Sequence, residues 1–169
     1  MREHQTTPSA AGTEASNLSH LLVPLDDNLP STHAELYFDG CSKRNPGEAS
    51  VGVWGTICGE SFEIGKRIGV ATNNEAEWMA ALLALLIASN KGAATLRLYG
   101  DSQLVINQLR REWKVKSETL IAFMEDAADL EERFQDVQYC WVPRELNTQA
   151  DRVANRTFLN THTNNNDNP

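Results

Sequence analysis

The hydrophobic pattern of this chain changes period at Thr72, from two to nearly four, and that switch limits the folds open to it. Before it, residues 35–42 (ELYFDGCS) alternate and are rich in aromatics, as in a strand with one buried face. Asn45-Pro46-Gly47 is a strong turn signal. Residues 49–58 and 61–70 read as two more strands joined by Gly59-Glu60, so the opening is a three-stranded antiparallel meander. After the switch, EAEWMAALLALLIASN consists of strong helix formers, with Asn73 or Asn74 as cap and Gly92 beyond its end, which predicts a helix over 74–90. Residues 95–100 (TLRLYG) form a short strand running into Asp101-Ser102, an N-cap signal for the helix SQLVINQLRRE. An acidic amphipathic stretch over 117–134, a strand over 137–142 and a helix over 147–158 complete the order β-β-β-α-β-α-α-β-α. Strands interleaved with helices after a meander imply an α/β fold, a five-stranded mixed sheet flanked by helices.

At 169 residues the chain has the length of one domain. Residues 1–33 are rich in Ser, Thr, Ala, Asn and Pro and read as a flexible extension, residues 34–159 as the folded domain, and 160–169 as a disordered polar tail. The extension holds one apolar patch, Leu21, Leu22, Val23 and Leu25, which either docks a partner or folds back on the domain. The longest apolar run in the chain falls short of the roughly 20 residues that cross a bilayer, and the first residues lack the apolar segment of a signal peptide, so a cytoplasmic protein without a membrane partner is expected. Cys41, Cys58 and Cys140 are odd in number and follow no C-x-x-C pattern, which predicts reduced thiols in or near the core. The net charge of −8 argues against nucleic-acid binding through bulk charge alone, though not against a locally basic groove. His4, His20, His33 and His162 all lie toward the ends, so chemistry in the domain is expected to run without histidine.

The acidic residues carry the functional signal. Ligands of open α/β sheets gather at the carboxyl ends of the strands, a rule that points to Asp39 and Asp101. Asp39 ends an otherwise apolar strand, where a carboxylate is costly unless paired or bound to a cation, although a turn role beside Gly40 would also explain it. Glu75 and Glu77 open a largely apolar helix and, two apart, face different ways, so one of them points inward. Asp101 reads equally as a helix cap, and Asp151 as a solvated acid at a helix start. Brought together without a histidine, such carboxylates call for a hard cation such as magnesium or manganese.

The segments FDGCSKRNPG, ATNNEAEWMAALLALL, LYGDSQLVINQL and WVPRELNTQAD occur in an order and spacing that closely resemble ribonuclease H type 1, especially its compact archaeal-like and reverse-transcriptase-like branch. The resemblance spans about 34–158. It implies a ribonuclease H-like fold and four metal-binding catalytic carboxylates, Asp39, Glu77, Asp101 and Asp151, leaving Glu75 as the outward neighbour. It also implies that Gly40, Ser42, Asn45, Asn73, Asn74 and Gln103 contact the minor groove of an RNA/DNA hybrid. Their amides and hydroxyls suit a ribose 2′-hydroxyl, which both donates and accepts. The implied activity is endonucleolytic hydrolysis of the hybrid's RNA strand with two Mg2+ or Mn2+ ions, giving 5′-phosphate and 3′-hydroxyl ends with little sequence specificity.

The chain departs from the family pattern in two places. Where many bacterial members carry a loop histidine, it has Pro143-Arg144-Glu145, and Arg144 takes that place, either holding a phosphate or leaving group or pairing with Glu145 or Asp151. The basic protrusion of some relatives is absent. Arg110, Arg111, Trp113, Lys114 and Lys116 form the densest basic cluster instead, readable as a nucleic-acid contact or as a solvated helix end with Trp113 in the core. The rival functions are a non-catalytic hybrid-binding module, a DNA-acting nuclease of the same superfamily, and an interaction protein working through the patch at 21–25. No obligate protein partner is evident, and a monomer is expected.

Overall fold

The computed structural model describes residues 32–160, so the expected extension up to residue 31 and the tail from 161 lie outside the described residues. The opening meander is β1 (His33–Ser42), β2 (Gly47–Ile57) and β3 (Glu60–Ala71), followed by α1 (Asn73–Asn90) and β4 (Thr95–Gly100). Next come α2 (Gln103–Leu109), α3 (Glu118–Glu131), β5 (Asp136–Trp141), a 3-10 turn (Arg144–Leu146) and α4 (Thr148–Leu159). The sheet order is β3-β2-β1-β4-β5, antiparallel through the meander and parallel from β1 to β4 to β5. This is the expected α/β mixed sheet of five strands. No described helix is long and apolar enough to cross a membrane.

Alternation along β1 sends Leu36 and Phe38 into the core, where they meet Val51 and Val53 of β2, Leu96 and Leu98 of β4, and Trp78 and Leu85 of α1. The Trp78 indole N–H donates to Gln108 Oε1 at 2.9 Å, which satisfies two polar groups inside this core and ties α1 to α2. Cys41, Cys58 and Cys140 are free and half-buried.

Local details differ from the sequence reading at three helix ends. Thr72, not Asn73 or Asn74, caps α1: its hydroxyl accepts the Glu75 N–H at 3.1 Å. Ser102, not Asp101, caps α2, which leaves the Asp101 carboxylate free of that duty. Finally, α2 stops at Leu109 instead of running through Glu112, because Arg111 adopts a left-handed φ of 62° and its guanidinium grips Glu131 of α3 with two bonds of 3.0 and 2.8 Å. β1 also begins two residues earlier than expected, at His33.

Three glycines set how closely helices approach the sheet. A Cβ at Gly40 would lie 2.2 Å from the Ala76 carbonyl carbon, so α1 rests directly on the backbone of β1. On the opposite face, Cβ atoms at Gly52 and Gly65 would each come within 2.4 Å of a carbonyl oxygen of α4, those of Ala150 and Val153. These contacts bring the first turns of α1 and α4 to the carboxyl end of β1.

Candidate metal centre

Asp39 comes from the second half of β1, Glu77 from the second turn of α1, and Asp101 from the residue following β4. One carboxylate oxygen from each lies within 4.8 Å of the other two. Asp39 is only 5% exposed, and Glu77 Oε2 is buried without a hydrogen-bond partner. Burial, then the charges of Asp101 and Asp151, push the Asp39 carboxyl up to about 8. Burial, then Asp39 and Asp101, likewise hold Glu77 well above the usual carboxylate range.

Buried like charges with an orphaned acceptor are unfavourable unless a proton or a cation neutralises them. An all-oxygen donor set of this kind fits a hard divalent ion such as magnesium, manganese or calcium and suits a soft metal poorly. Asp39, Glu77 and Asp101 are therefore the residues fit to hold such an ion. Asp151 stands at the start of α4, exposed and outside the tight trio, near enough for its charge to help raise Asp39. The Asn155 amide donates to Asp151 Oδ1 at 2.9 Å and so fixes its orientation. Glu75 turns away, its carboxylate taking a 3.0 Å bond from the Thr72 hydroxyl.

The expected hybrid contacts split into two kinds. The Ser42 N–H donates to Asn73 Oδ1 at 3.2 Å, and the Asn73 N–H to Asn45 Oδ1 at 3.0 Å, which braces the β1–β2 turn against α1. Both amide oxygens are thus engaged, while Asn45, Asn73, Asn74 and Gln103 are all exposed. The Ser42 hydroxyl instead turns to the carbonyl oxygens of Arg44, Gly47 and Ala71. Gly40 is buried under α1 and serves as a packing position.

The basic cluster also separates. Arg110 Nε donates to the Tyr139 carbonyl at 2.8 Å, and Arg111 is held by Glu131, so both tie α2 to its neighbours. Lys114 and Lys116 are exposed, and Trp113 is 47% exposed, which rules out a core position for its ring. Arg144 lies exposed in the 3-10 turn and forms no ion pair with Glu145 or Asp151 among the described residues.

Two supports of the centre are not apparent from the sequence. Asn147, 1% exposed, donates its amide to the Phe38 carbonyl at 2.9 Å and to Asp101 Oδ2 at 3.2 Å, joining the strand that carries Asp39 to the Asp101 carboxylate. The Trp141 indole donates to the Asp101 carbonyl at 3.0 Å. Asparagine before a helix looks like a cap in sequence, yet here its side chain makes no capping bond.

Comparison with known proteins places these features. The family described as reverse transcriptase-like matches residues 37–157. Ribonuclease HI of Halobacterium salinarum is 42% identical over 125 residues, covering 72% of this chain and 62% of that protein. A solved RNase H1 structure from the same archaeon superposes with a TM-score of 0.71 at 38% identity, covering 76% of this chain and 98% of that one. The structure of LC11-RNase H1 in complex with an RNA/DNA hybrid gives a TM-score of 0.68 at 32% identity, covering 73% and 94%. A Mycobacterium tuberculosis relative described as a bifunctional protein is 41% identical over 123 residues, and this chain spans 33% of its length.

Proposed function

This chain belongs to the ribonuclease H type 1 family, and we propose that it is an endonuclease that hydrolyses the RNA strand of RNA/DNA hybrids. The observation that carries this reading is the buried trio Asp39, Glu77 and Asp101 with its orphaned Glu77 oxygen. These residues would hold Mg2+ or Mn2+, with Asp151 completing the set from its exposed position. Two such ions supply Lewis-acid activation of a water and stabilisation of the leaving 3′-oxygen. No residue of this chain is needed as a covalent nucleophile, and the products would carry 5′-phosphate and 3′-hydroxyl ends.

The residues around the centre position the substrate. Asn45 and Asn73 commit their carbonyl oxygens to the turn, which leaves their NH2 groups to donate toward 2′-hydroxyl oxygens, alongside Asn74 and Gln103. Ser42 acts by shaping that turn. Arg144 stands in the turn before α4 as a permanent cation for a phosphate. Lys114 and Lys116 add phosphate contacts beside Trp113, so binding weakens as salt rises. These contacts read backbone shape and the 2′-hydroxyl, which gives little dependence on base sequence. The protein acts as a monomer in this reading.

The test is incubation with end-labelled RNA/DNA, RNA/RNA and DNA/DNA duplexes in magnesium, manganese or chelator. Metal-dependent cutting of the hybrid's RNA strand alone, with phosphatase-sensitive 5′ ends, is expected. Cutting of the DNA duplex would favour the DNA-acting alternative, and hybrid binding without cutting would favour a binding module.

A further inference from the structure

A groove of about 710 Å³ runs between β3, α1 and α3, on the face away from α4 and apart from the carboxylates. Its apolar walls come from Ile68 of β3, Met79, Leu83 and Leu86 of α1, and Phe123 and Leu130 of α3. None of the six is fully buried, and Leu86 is 39% exposed. We infer that this groove is the docking site of residues 21–25 of the same chain, the stretch Leu-Leu-Val-Pro-Leu.

The first ground is reach. The Thr32 carbonyl accepts the Ala94 N–H at 2.6 Å, and the Ala94 carbonyl accepts the Gln135 N–H at 2.7 Å. The chain therefore enters β1 where α1 and α3 both end. The groove opens at that same end, since Leu86 lies within about 6 Å of the last residue of α1 along the axis and Leu130 is one residue from the end of α3. Residues 26–31 span at most about 20 Å, which carries Leu25 from Thr32 into the mouth.

The second ground is charge. Arg133 lines the groove two residues before Gln135, at this mouth, and makes no ion pair among the described residues. Asp26 and Asp27 directly follow Leu25 and would pass Arg133 on the way to Thr32. Asp129 lies beside Leu130 near the mouth and Asp126 about one turn farther in, while Lys66 and Arg67 of β3 add two further cations to the lining, so cations outnumber carboxylates in the groove. Composition narrows the choice further, because residues 161–169 contain no Leu, Ile, Val, Met, Phe, Tyr or Trp side chain to fill such a groove. The fixed φ of Pro24 lowers the entropy lost on docking. This inference does not depend on the ribonuclease reading.

The experiment uses the full chain with Leu22→Cys and Leu86→Cys, mildly oxidised and mapped by mass spectrometry. The control pairs Leu22→Cys with Leu146→Cys in the 3-10 turn, a position more exposed than Leu86, at 65% against 39%, so that accessibility alone would favour 22–146. An intrachain 22–86 bond in at least about tenfold excess over 22–146 is expected. In the otherwise native chain, Leu22→Asp should lower the melting temperature by several degrees and raise binding of a hydrophobic dye, with hybrid cleavage unchanged. Equal yields at 86 and 146, or a Leu22→Asp chain that melts and binds dye like the native one, would overturn the inference. A 22–86 bond formed between chains would also overturn it, assigning the groove to a second copy.

Discussion

Replacing Gly40 with alanine should displace the helix that carries Glu77 without touching a carboxylate. The new methyl would lie 2.2 Å from the Ala76 carbonyl carbon, 2.3 Å from its oxygen and 2.4 Å from the Glu77 nitrogen. Ordinary carbon contacts begin near about 3.5 Å, so the shortfall exceeds about 1 Å. All three atoms are backbone, and no side chain can rotate to relieve the clash. The first turns of α1 must therefore lift from β1 and carry Glu77 away from Asp39. A misplacement of about 1 Å costs roughly 100-fold in rate, and overpacking of this kind costs about 1–3 kcal/mol in stability. The assay is single-turnover cleavage of a hybrid at saturating magnesium, read alongside a thermal melt. A Gly40→Ala protein that cleaves within threefold of the native rate and melts at the native temperature would refute the claim that this contact sets the position of Glu77.

Three further outcomes follow from the same geometry. Without metal, the folded protein keeps a proton on Asp39, whose carboxyl is pushed up to about 8, while the unfolded chain releases it near 3.8. Stability in chelator should therefore fall from about pH 4 to about pH 8, by up to about 1.4 kcal/mol per pH unit from Asp39 alone, with Glu77 adding to the slope in the same direction; magnesium should flatten the slope and Asp39→Asn reduce it, and melting temperatures that rise with pH would contradict this. Asn147→Ala removes the donor shared by the Phe38 carbonyl and Asp101, and should cost about 1–3 kcal/mol in denaturant melts and slow cleavage at fixed magnesium; unchanged values for both would remove its bridging role. Lys114→Ala with Lys116→Ala should weaken hybrid binding and lower its salt slope by about one unit for each phosphate no longer neutralised, whereas Arg111→Ala, which breaks the grip on Glu131, should lower stability and leave the salt slope alone; equal slopes in all three proteins would take both lysines out of the interface.

How far the sequence foretells this arrangement depends on how far apart the interacting residues lie. The period switch at Thr72 is local, and so the meander, the long helix and the mixed sheet are all legible. Asp39, Glu77 and Asp101 are legible through the motifs around them, and the fold brings them together. The cap of α1 falls one residue from its expected place because Thr72 and Asn73 both suit the role, and only the carbonyl-to-amide bracing of Asn45 and Asn73 decides between them. Asn147 escapes notice because its partners lie 109 and 46 positions away in the chain. The packing role of Gly40, and the placement of α4 by Gly52 and Gly65, depend on helix-to-sheet distances that no local pattern records. Arg111 looks like part of a nucleic-acid surface since nothing near it in sequence announces Glu131, twenty residues on.

If Asp39, Glu77 and Asp101 hold the divalent metal that cleaves the hybrid's RNA strand, cleavage must depend on both the metal and the carboxylates. The direct test is the cleavage rate of native protein and of Asp39→Asn against magnesium concentration, beginning in chelator, with circular dichroism confirming that the variant is folded. No cleavage is expected in chelator, with a rate that rises with magnesium in the native protein and a loss of at least about 1,000-fold in the folded variant at every concentration. Cleavage that persists in chelator, or a folded variant within tenfold of the native rate, would mean that these carboxylates do not hold the catalytic metal.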